Sequence, residues 1–428
     1  GAAAVLGQRF DEAVWSAMLA AEYPSPNDRL DILATLEQAR LIVLETAGYR
    51  FDHDPLRACV YLDLPPVRRR DWHARALGIL GADPDVPALV KLRHAEQSES
   101  HASAIDLALQ AGEQALAALN PVSAVALFQR VAQAPSVSTS FAFRAYAGLA
   151  RAHDILNDRE AQHAAIDQLR ALAARLASDE ADAELAWQLT NLAWATGRFH
   201  DAVAHAEQGL EPARRVGDLR RSALLLEFQG RAARDLGDYL KAQAVLRAAQ
   251  RLYEQIGDPR GHGWIEGQLG VIAQRQGRLA NSAEHHTRAV QALRAAGDTY
   301  AESRAATGLA VLHWQCGDFA RARSVFEEIL SLSRINRDLR MEESCLHNLG
   351  ALADILADYA AALDLKTQAL AASRAAGNAM GVALGLSNLA ITLHKLGCHA
   401  EALTRFDEAL EADQAMGRRQ GEAYSWHG

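Results

Sequence analysis

Sixteen histidines and four cysteines are the residues of this chain that could hold a metal or move protons. Their spacing builds neither kind of site. Cys59, Cys316, Cys345 and Cys398 are far apart, with no Cys-x-x-Cys pair. That pattern suits a reducing, cytoplasmic setting. His285 and His286 are neighbours, so on a helix they diverge by about 100° and do not chelate one ion. No His-Glu-x-x-His and no Cys/His quartet occurs. Gly261-His262-Gly263 follows a Gly257-Asp258-Pro259 turn and reads as a loop with a late helix start, not a phosphate cradle. Ser387 follows Gly385-Leu386 in mid-helix, where no nucleophile elbow forms. Arg68-Arg69-Arg70 could contact phosphate, although a solvated helix start accounts for the run. The expectation is therefore no enzyme, no metal and no cofactor. What remains is aromatic and cationic: Trp187, Trp194, Trp264 and Trp314, with Arg231, Arg234 and Arg304. Trp and Arg dominate the energetic centres of protein interfaces.

The elements that would position these residues are written in a repeat of 40 residues. Gly197-Arg198-Phe199 recurs as Gly237-Asp238-Tyr239, Gly277-Arg278-Leu279, Gly317-Asp318-Phe319, Ala357-Asp358-Tyr359 and Gly397-Cys398-His399. A small residue follows five positions later: Ala202, Ala242, Ser282, Ala322, Ala362, Ala402. A second punctuation comes at Gly217-Asp218, Gly257-Asp258, Gly297-Asp298, Arg337-Asp338, Gly377-Asn378 and Gly417-Arg418. Such a period predicts a solenoid whose units bury apolar faces only against their neighbours. Around Gly350, the residues Leu346, Leu349, Leu352, Ala353 and Leu356 form one amphipathic helical stripe. Ala362, Leu363, Leu365, Ala369, Leu370 and Ser373 form a second, with Asp358 as the N-cap between them and Gly377 as the C-cap. Towards the N-terminus the repeat decays: Asn157-Asp158 keeps the phase, and Gly112-Ala124-Phe128 does not. The last copy, Gly421–Gly428, breaks off inside a first helix. The reading is about eight repeats and a stub, with the chain a fragment of something longer.

The first hundred residues follow another grammar. Phe10–Tyr23 and Leu30–Gln38 read as helices, with Pro24–Asp28 a loop between them. Leu41–Leu44 and Tyr49–Phe51 read as a β-hairpin around Thr46-Ala47-Gly48. Helix, helix and hairpin make a winged helix. The net charge of −9 has its signs interspersed, which gives no general footprint for nucleic acid. No 18-residue apolar run and no signal-peptide pattern appears, so no membrane partner is expected.

The small/aromatic grammar of Gly350 with Ala362 and Ala369, of Gly230 with Ala242 and Ala249, and of Ala310 with Ala322 and Phe326 resembles the tetratricopeptide repeat. The longer unit is similar to the extended variety in kinesin light chains, LGN-type adaptors and MalT-like sensor arms. The stretch Tyr49–Asp54, Leu56-Arg57, Tyr61 and Leu64–His73 resembles the segment after the nucleotide-binding core of bacterial STAND regulators of the MalT-like and AfsR-like group. The resemblance implies an all-α fold: a tetratricopeptide superhelical solenoid behind a small winged-helix-like domain. The expected parts are a winged helix at residues 1–80, a helical linker and degenerate repeat at 81–135, and the solenoid from 136 to 428. It implies an upstream nucleotide-binding domain, since no Gly-x-x-x-x-Gly-Lys-Ser/Thr lies in this sequence. It also makes His53 the positional candidate for a nucleotide contact.

In that family the first helix of each unit lines the concave face. With Gly350 as position eight, positions two, five, nine and twelve face inward. This stripe carries Trp187, Asn191, Trp194, Arg231, Arg234, Trp264, Arg304, Trp314, His347 and His394, as well as Glu184, Glu227, Gln274 and Asp354. Position six adds Gln268, Asn348 and Asn388, where adaptor relatives hydrogen-bond a peptide backbone. The expected partner is a peptide or protein segment, or a small effector. The expected function is the non-catalytic sensor arm of a signal-transducing, ATPase-type transcriptional regulator. A free-standing peptide-binding adaptor is the alternative, and a non-catalytic fragment of an enzyme is a third class.

Overall fold

The computed structural model describes residues 1–46, 48–118, 120–135, 137–336, 338–376 and 378–415. The punctuation residues Arg337, Gly377 and Gly417-Arg418, with the Gly421–Gly428 stub, lie outside the described residues. The chain forms two compact units, one of residues 1–216 and one beginning at Gly217.

The first unit opens with α1 (Ala2–Leu6), β1 (Arg9–Phe10), α2 (Glu12–Leu19), α3 (Pro26–Gln38), β2 (Ile42–Glu45) and β3 (Gly48–Phe51). The hairpin falls where alternation and β-branching put it. Two details differ from the sequence reading. Phe10 is not helical; it pairs with Tyr49 as a third strand, giving the antiparallel order β1-β3-β2. Pro26, Asn27 and Asp28 are not loop but the first turn of α3, because Pro at N1 loses no hydrogen bond there. Gly48 has φ 118°, and a Cβ there would sit 2.4 Å from the Phe10 carbonyl, so only glycine lets β1 join the sheet. Phe10, Trp15, Met18, Leu33, Ile42, Phe51 and Trp72 share one core with α1.

Helices then run in pairs: α4 (Asp54–Asp63), α5 (Pro66–Gly81), α6 (Ala88–Gln97), α7 (His101–Ala117), α8 (Pro121–Ala132), α9 (Thr139–Ile155), α10 (Arg159–Leu176), α11 (Asp179–Ala195) and α12 (Phe199–Arg215). The second unit continues with α13 (Leu219–Asp235), α14 (Tyr239–Gln255), α15 (Pro259–Arg275), α16 (Leu279–Ala295), α17 (Thr299–Gln315), α18 (Phe319–Asn336), α19 (Leu339–Ile355), α20 (Tyr359–Ala375), α21 (Ala379–Lys395) and α22 (His399–Ala415). Gly197, Gly237, Gly277, Gly317 and Gly397 turn each first helix into its second with φ between 73° and 84°. Ala357 and Asn157 take the same left-handed conformation at φ 59° and 57°. The aspartates that follow are caps as expected: Asp358 accepts from the Ala361 N–H at 3.1 Å. Gly261–Gly263 is a correction. α15 starts at Pro259 under the cap of Asp258, so these glycines are helical. They are small because a Cβ would meet the Tyr253 ring at 2.3 Å and Leu293 at 2.8 Å.

Ala202, Ala242, Ser282, Ala322 and Ala362 are fully buried. The aromatic at Phe199, Tyr239, Phe319 and Tyr359, which the sequence suggests as the wedge, is only partly buried; the wedge is instead the residue one helical turn on from the small ones. Ala206, Leu246, His286, Phe326, Lys366 and Phe406 occupy that position, every one buried. His286 shows its geometry. A Cβ on Gly270 of α15 would lie 2.8 Å from the imidazole, and one on Gly308 of α17 would lie 2.4 Å from it. Phe128 sits in the same way between Gly112 and Gly148.

Two measurements test this packing. Ala322→Leu overpacks a fully closed site, costing about 1–3 kcal/mol, whereas Arg321, its exposed neighbour, tolerates Leu; calorimetric melts of both variants should differ by several degrees, and equal melts would refute the register. His286 has both ring nitrogens buried without a partner among the described residues. Burial, then the neighbouring His285, lowers its pKa from 6.5 to about 4. The unfolded chain then binds the extra proton between those values. Stability is full above pH 6.5 and falls towards pH 4, by up to about 3 kcal/mol. His286→Leu, the residue of the equivalent Leu246, should flatten that slope in urea titrations at pH 7.5 and 5.

Candidate functional site

Every residue assigned to the concave stripe lies on the first helix of a pair: α11, α13, α15, α17, α19 or α21. The wedge explains why they meet. Between α15 and α17, glycine on both first helices admits His286, and side chains of consecutive first helices reach each other across the second helix between them.

The densest meeting is across α13, α15 and α17. Trp264, half-buried, has the Arg231 guanidinium 5.8 Å from its ring centroid on one flank and that of Arg304 5.1 Å away on another. Arg231 also lies 4.7 Å from the Phe228 ring, and Arg304 6.0 Å from the Tyr300 ring. The result is a chain of alternating aromatic and guanidinium groups from three helices. Glu227 is buried beneath it, 3.5 Å from Arg231, and accepts a 3.0 Å hydrogen bond from the buried Tyr253 hydroxyl. Burial raises the Glu227 pKa, opposed by Arg231 and by its hydrogen bonds. Burial likewise lowers that of Arg231, with Arg234 and Arg304 adding like-charge repulsion. Arg304 is the exposed member and has no carboxylate partner among the described residues. Arg234 is bidentate to Asp235 at 2.8 and 2.9 Å and donates to Gln268 of the next first helix.

A cavity of about 300 Å³ opens beside this array, walled by Leu224, Glu227, Tyr253, Trp264, Tyr300 and Ala301. Its rim acids are engaged. Asp258 caps α15 and pairs with Arg220 at 3.1 Å, and Asp298 caps α17 and pairs with Arg260.

The other predicted residues form separate groups. On α11, Trp187 and Trp194 are half-buried, and Asn191 is buried, bonded to Asp154 of α9 at 2.9 Å. Trp314 is half-buried and packs on the Phe326–Leu349 core, so it supports the fold as well as facing the stripe. On α19 and α21, His347 and Asn388 are 3.4 Å apart, Asn348 donates to the Ser344 carbonyl at 2.9 Å, and His394 is exposed against His399. Burial and the Lys366 charge lower the His347 pKa. His53 is exposed at the N-cap of α4, near Asp52. His285 bonds Glu266 at 2.8 Å while His286 faces the core, so the pair diverges.

Phe228, Tyr253, Tyr300 and Lys366 were not singled out from sequence. Lys366 was findable, because it replaces the wedge of the other copies. Its ammonium reaches Asp354, the Thr392 hydroxyl at 2.7 Å and the Asn388 carbonyl at 3.1 Å, tying α20 to α19 and α21. Among the described residues no cluster of three or more His, Cys, Asp or Glu could hold a metal, and no helix is long and apolar enough to cross a membrane.

This arrangement is a tetratricopeptide-type helical-repeat fold presenting side chains from successive first helices. Comparisons with known proteins agree. The tetratricopeptide-repeat family model matches residues 262–335. No curated protein sequence matches the chain. Among solved structures, a Rap protein complexed with competence and sporulation factor is 12% identical, with 76% of this chain and 96% of that one covered at a TM-score of 0.55. The apo quorum sensor NprR from B. thuringiensis is 14% identical, with 81% and 98% covered and a TM-score of 0.52. A STAND protein with a tetratricopeptide-repeat sensor from Pyrococcus horikoshii is 14% identical, covering 86% and 61%, at 0.49. At these identities the likeness to the Rap protein and to NprR is one of fold.

Removing one member of a buried ion pair costs about 3–5 kcal/mol, while removing both with shape retained is near neutral. Lys366→Met should therefore destabilise strongly, and adding Asp354→Asn should restore much of the loss in urea unfolding; additive losses would contradict the pairing.

Proposed function

We propose that this chain is a non-catalytic partner-binding module, and that the first-helix face of the second unit receives a peptide or protein segment. The observation that carries this reading is the Trp264 array. A half-exposed indole is held between guanidiniums from the helices before and after it, beside a cavity at the small end of the ligand-pocket range of ~300–1,000 Å³. Arg231 and Arg304 already flank the indole without a ligand, an arrangement that lowers the ordering cost of contact. Asn348 and Asn388, half-buried on the same face, supply amides for the backbone of an extended segment. Support for ligand sensing comes from the fold likeness to a Rap protein solved with competence and sporulation factor and to a quorum sensor.

The finer reading is the sensing arm of a STAND-type, cytoplasmic transcriptional regulator, with residues 1–80 a winged helix, 81–135 a linker and first degenerate repeat, and the solenoid from 136 onward. The element order α1-β1-α2-α3-β2-β3 and the sheet order β1-β3-β2 support a winged helix. α3 carries Asp28, Asp31 and Glu37 against one Arg29, a charge that suits protein contact better than DNA. The nucleotide-binding core would lie outside these residues. The alternative of a free-standing adaptor uses the same face.

A random dodecapeptide display library is the probe. The full chain should select binders that are lost from Trp264→Ala and Arg304→Ala by about 2 kcal/mol or more, while circular-dichroism melts stay near wild type. If Trp264→Ala instead unfolds its neighbours and leaves peptide capture intact, the indole is packing support and the reading fails.

A further inference from the structure

A second charged site lies in the first unit. Where α5 meets the end of α6, a cavity of about 380 Å³ is lined by Pro66, Arg69, Arg70, Glu96, Gln97 and Glu99. Three of its four charges are already matched. Arg70 pairs with Glu99 at 2.9 Å, and Glu96 with Arg130 at 2.5 Å. Arg69 is the exception: it has no acidic partner among the described residues. Its guanidinium lies 5.5 Å from the Tyr61 ring centroid, and its Nε is buried with no hydrogen-bond acceptor. That nitrogen is closed to solvent, so the terminal amino groups of the guanidinium are the donors left for a ligand.

Beyond the lining, Tyr61 contacts both Arg69 and Gln97 and leads to two uncharged imidazoles. The Tyr61 hydroxyl lies 3.1 Å from His73 Nε2, and His73 Nδ1 lies 2.9 Å from His94 Nδ1. Both imidazoles are fully buried. Burial, followed by His94, Arg93 and Arg69, lowers the His73 pKa to about 4; burial and Arg93 do the same to His94. The groups facing the pair are thus Tyr61 from α4, Arg69 from α5, and Arg93 and Gln97 from α6. Arg69 and Arg93 are the charged groups that act on the pair, while Glu96 and Glu99 of the cavity wall are held by Arg130 and Arg70. No carboxylate among them offsets Arg69.

We propose that this cavity is an oxyanion site in which Arg69, held flat by Tyr61, binds a carboxylate or phosphate group. The fork of N–H donors on a guanidinium matches either oxyanion in two-pronged fashion, and the neighbouring Arg70–Glu99 and Glu96–Arg130 pairs set the width of the opening. An anion seated there offsets the Arg69 charge beside His73, so binding and protonation of the histidine pair are linked, each favouring the other.

The experiment titrates the whole chain with sodium phosphate, sodium acetate and sodium chloride, at constant ionic strength, reading the histidine ring resonances by NMR. Phosphate or acetate should shift the His73 and His94 signals saturably and raise the pH at which they titrate, while chloride should not. The stronger of the two oxyanions identifies the source. Arg69→Gln should weaken the response about tenfold or more; Arg170→Gln, a substitution in the exposed Arg170–Asp167 pair outside the cavity lining, should leave it in place. Arg69→Lys, which keeps the charge without the fork, checks that any loss reflects recognition and not misfolding. Absence of a saturable shift with either oxyanion, a shift equal in chloride, or a response surviving in Arg69→Gln would each overturn the proposal.

Discussion

One contact recurs through the repeat part of this protein: a side chain from a second helix closed against a glycine on the first helix of its own pair, as Phe128 on Gly112, Leu246 on Gly230, His286 on Gly270 and Lys366 on Gly350. Phe128 between Gly112 and Gly148 and His286 between Gly270 and Gly308 show it most directly. Because the wedge fills the crossing, helix backbones approach without leaving a void, and close packing is what gives such interfaces their energy. The same approach brings the outward stripes of successive first helices within reach of each other. Arg234 meets Gln268, Arg304 meets Trp264, and Asn388 meets His347 for this reason. The candidate surface is a by-product of the core.

The wedge also shows where the sequence departs from what packing alone asks. Leu246, Phe326 and Phe406 are apolar, as a dry crossing requires, yet His286 and Lys366 stand at the same register. Lys366 is compensated by Asp354, Thr392 and the Asn388 carbonyl, so its charge fixes one arrangement of three helices. His286 is compensated only by staying neutral. Two copies of one position therefore solve the burial of a titratable group by different means, one by pairing and one by deprotonation.

Much of this was legible in the sequence because the period is strict. The turns at Gly197 to Gly397, the Asp caps and the small residues at Ala242 and Ala322 are local signals, repeated until their meaning is unambiguous. The hairpin Ile42–Phe51 was legible for the same local reason. What was not legible depends on partners distant in sequence. β1 is two residues long and exists because Gly48 admits it. Gly261 and Gly263 look like a loop until Tyr253 and Leu293 are seen above them. The stripe of first-helix residues was placed on the right helices, but its division into groups was hidden. Arg231 and Arg304 converge on Trp264 from 33 and 40 residues away in sequence, and Trp314 turns partly towards the Phe326 core. Hairpin geometry, not pattern, decides such meetings.

The capping aspartates of α15 and α17 carry a consequence for how the second unit comes apart. Asp258 and Asp298 each satisfy a free N–H at the start of their own helix, and each is also held by an arginine, Arg220 or Arg260, from the first helix before it. Exposed ion pairs of this kind add little free energy individually. Their effect is on cooperativity. When one hairpin frays, the next helix loses the group that orients its cap, so the unfavourable nucleation of that helix is shared between neighbours. In a nearest-neighbour description, this enlarges the coupling between repeats relative to their intrinsic stabilities. The stretch from α13 to α17 thus tends to open and close as one block, and the Trp264 array lies inside it.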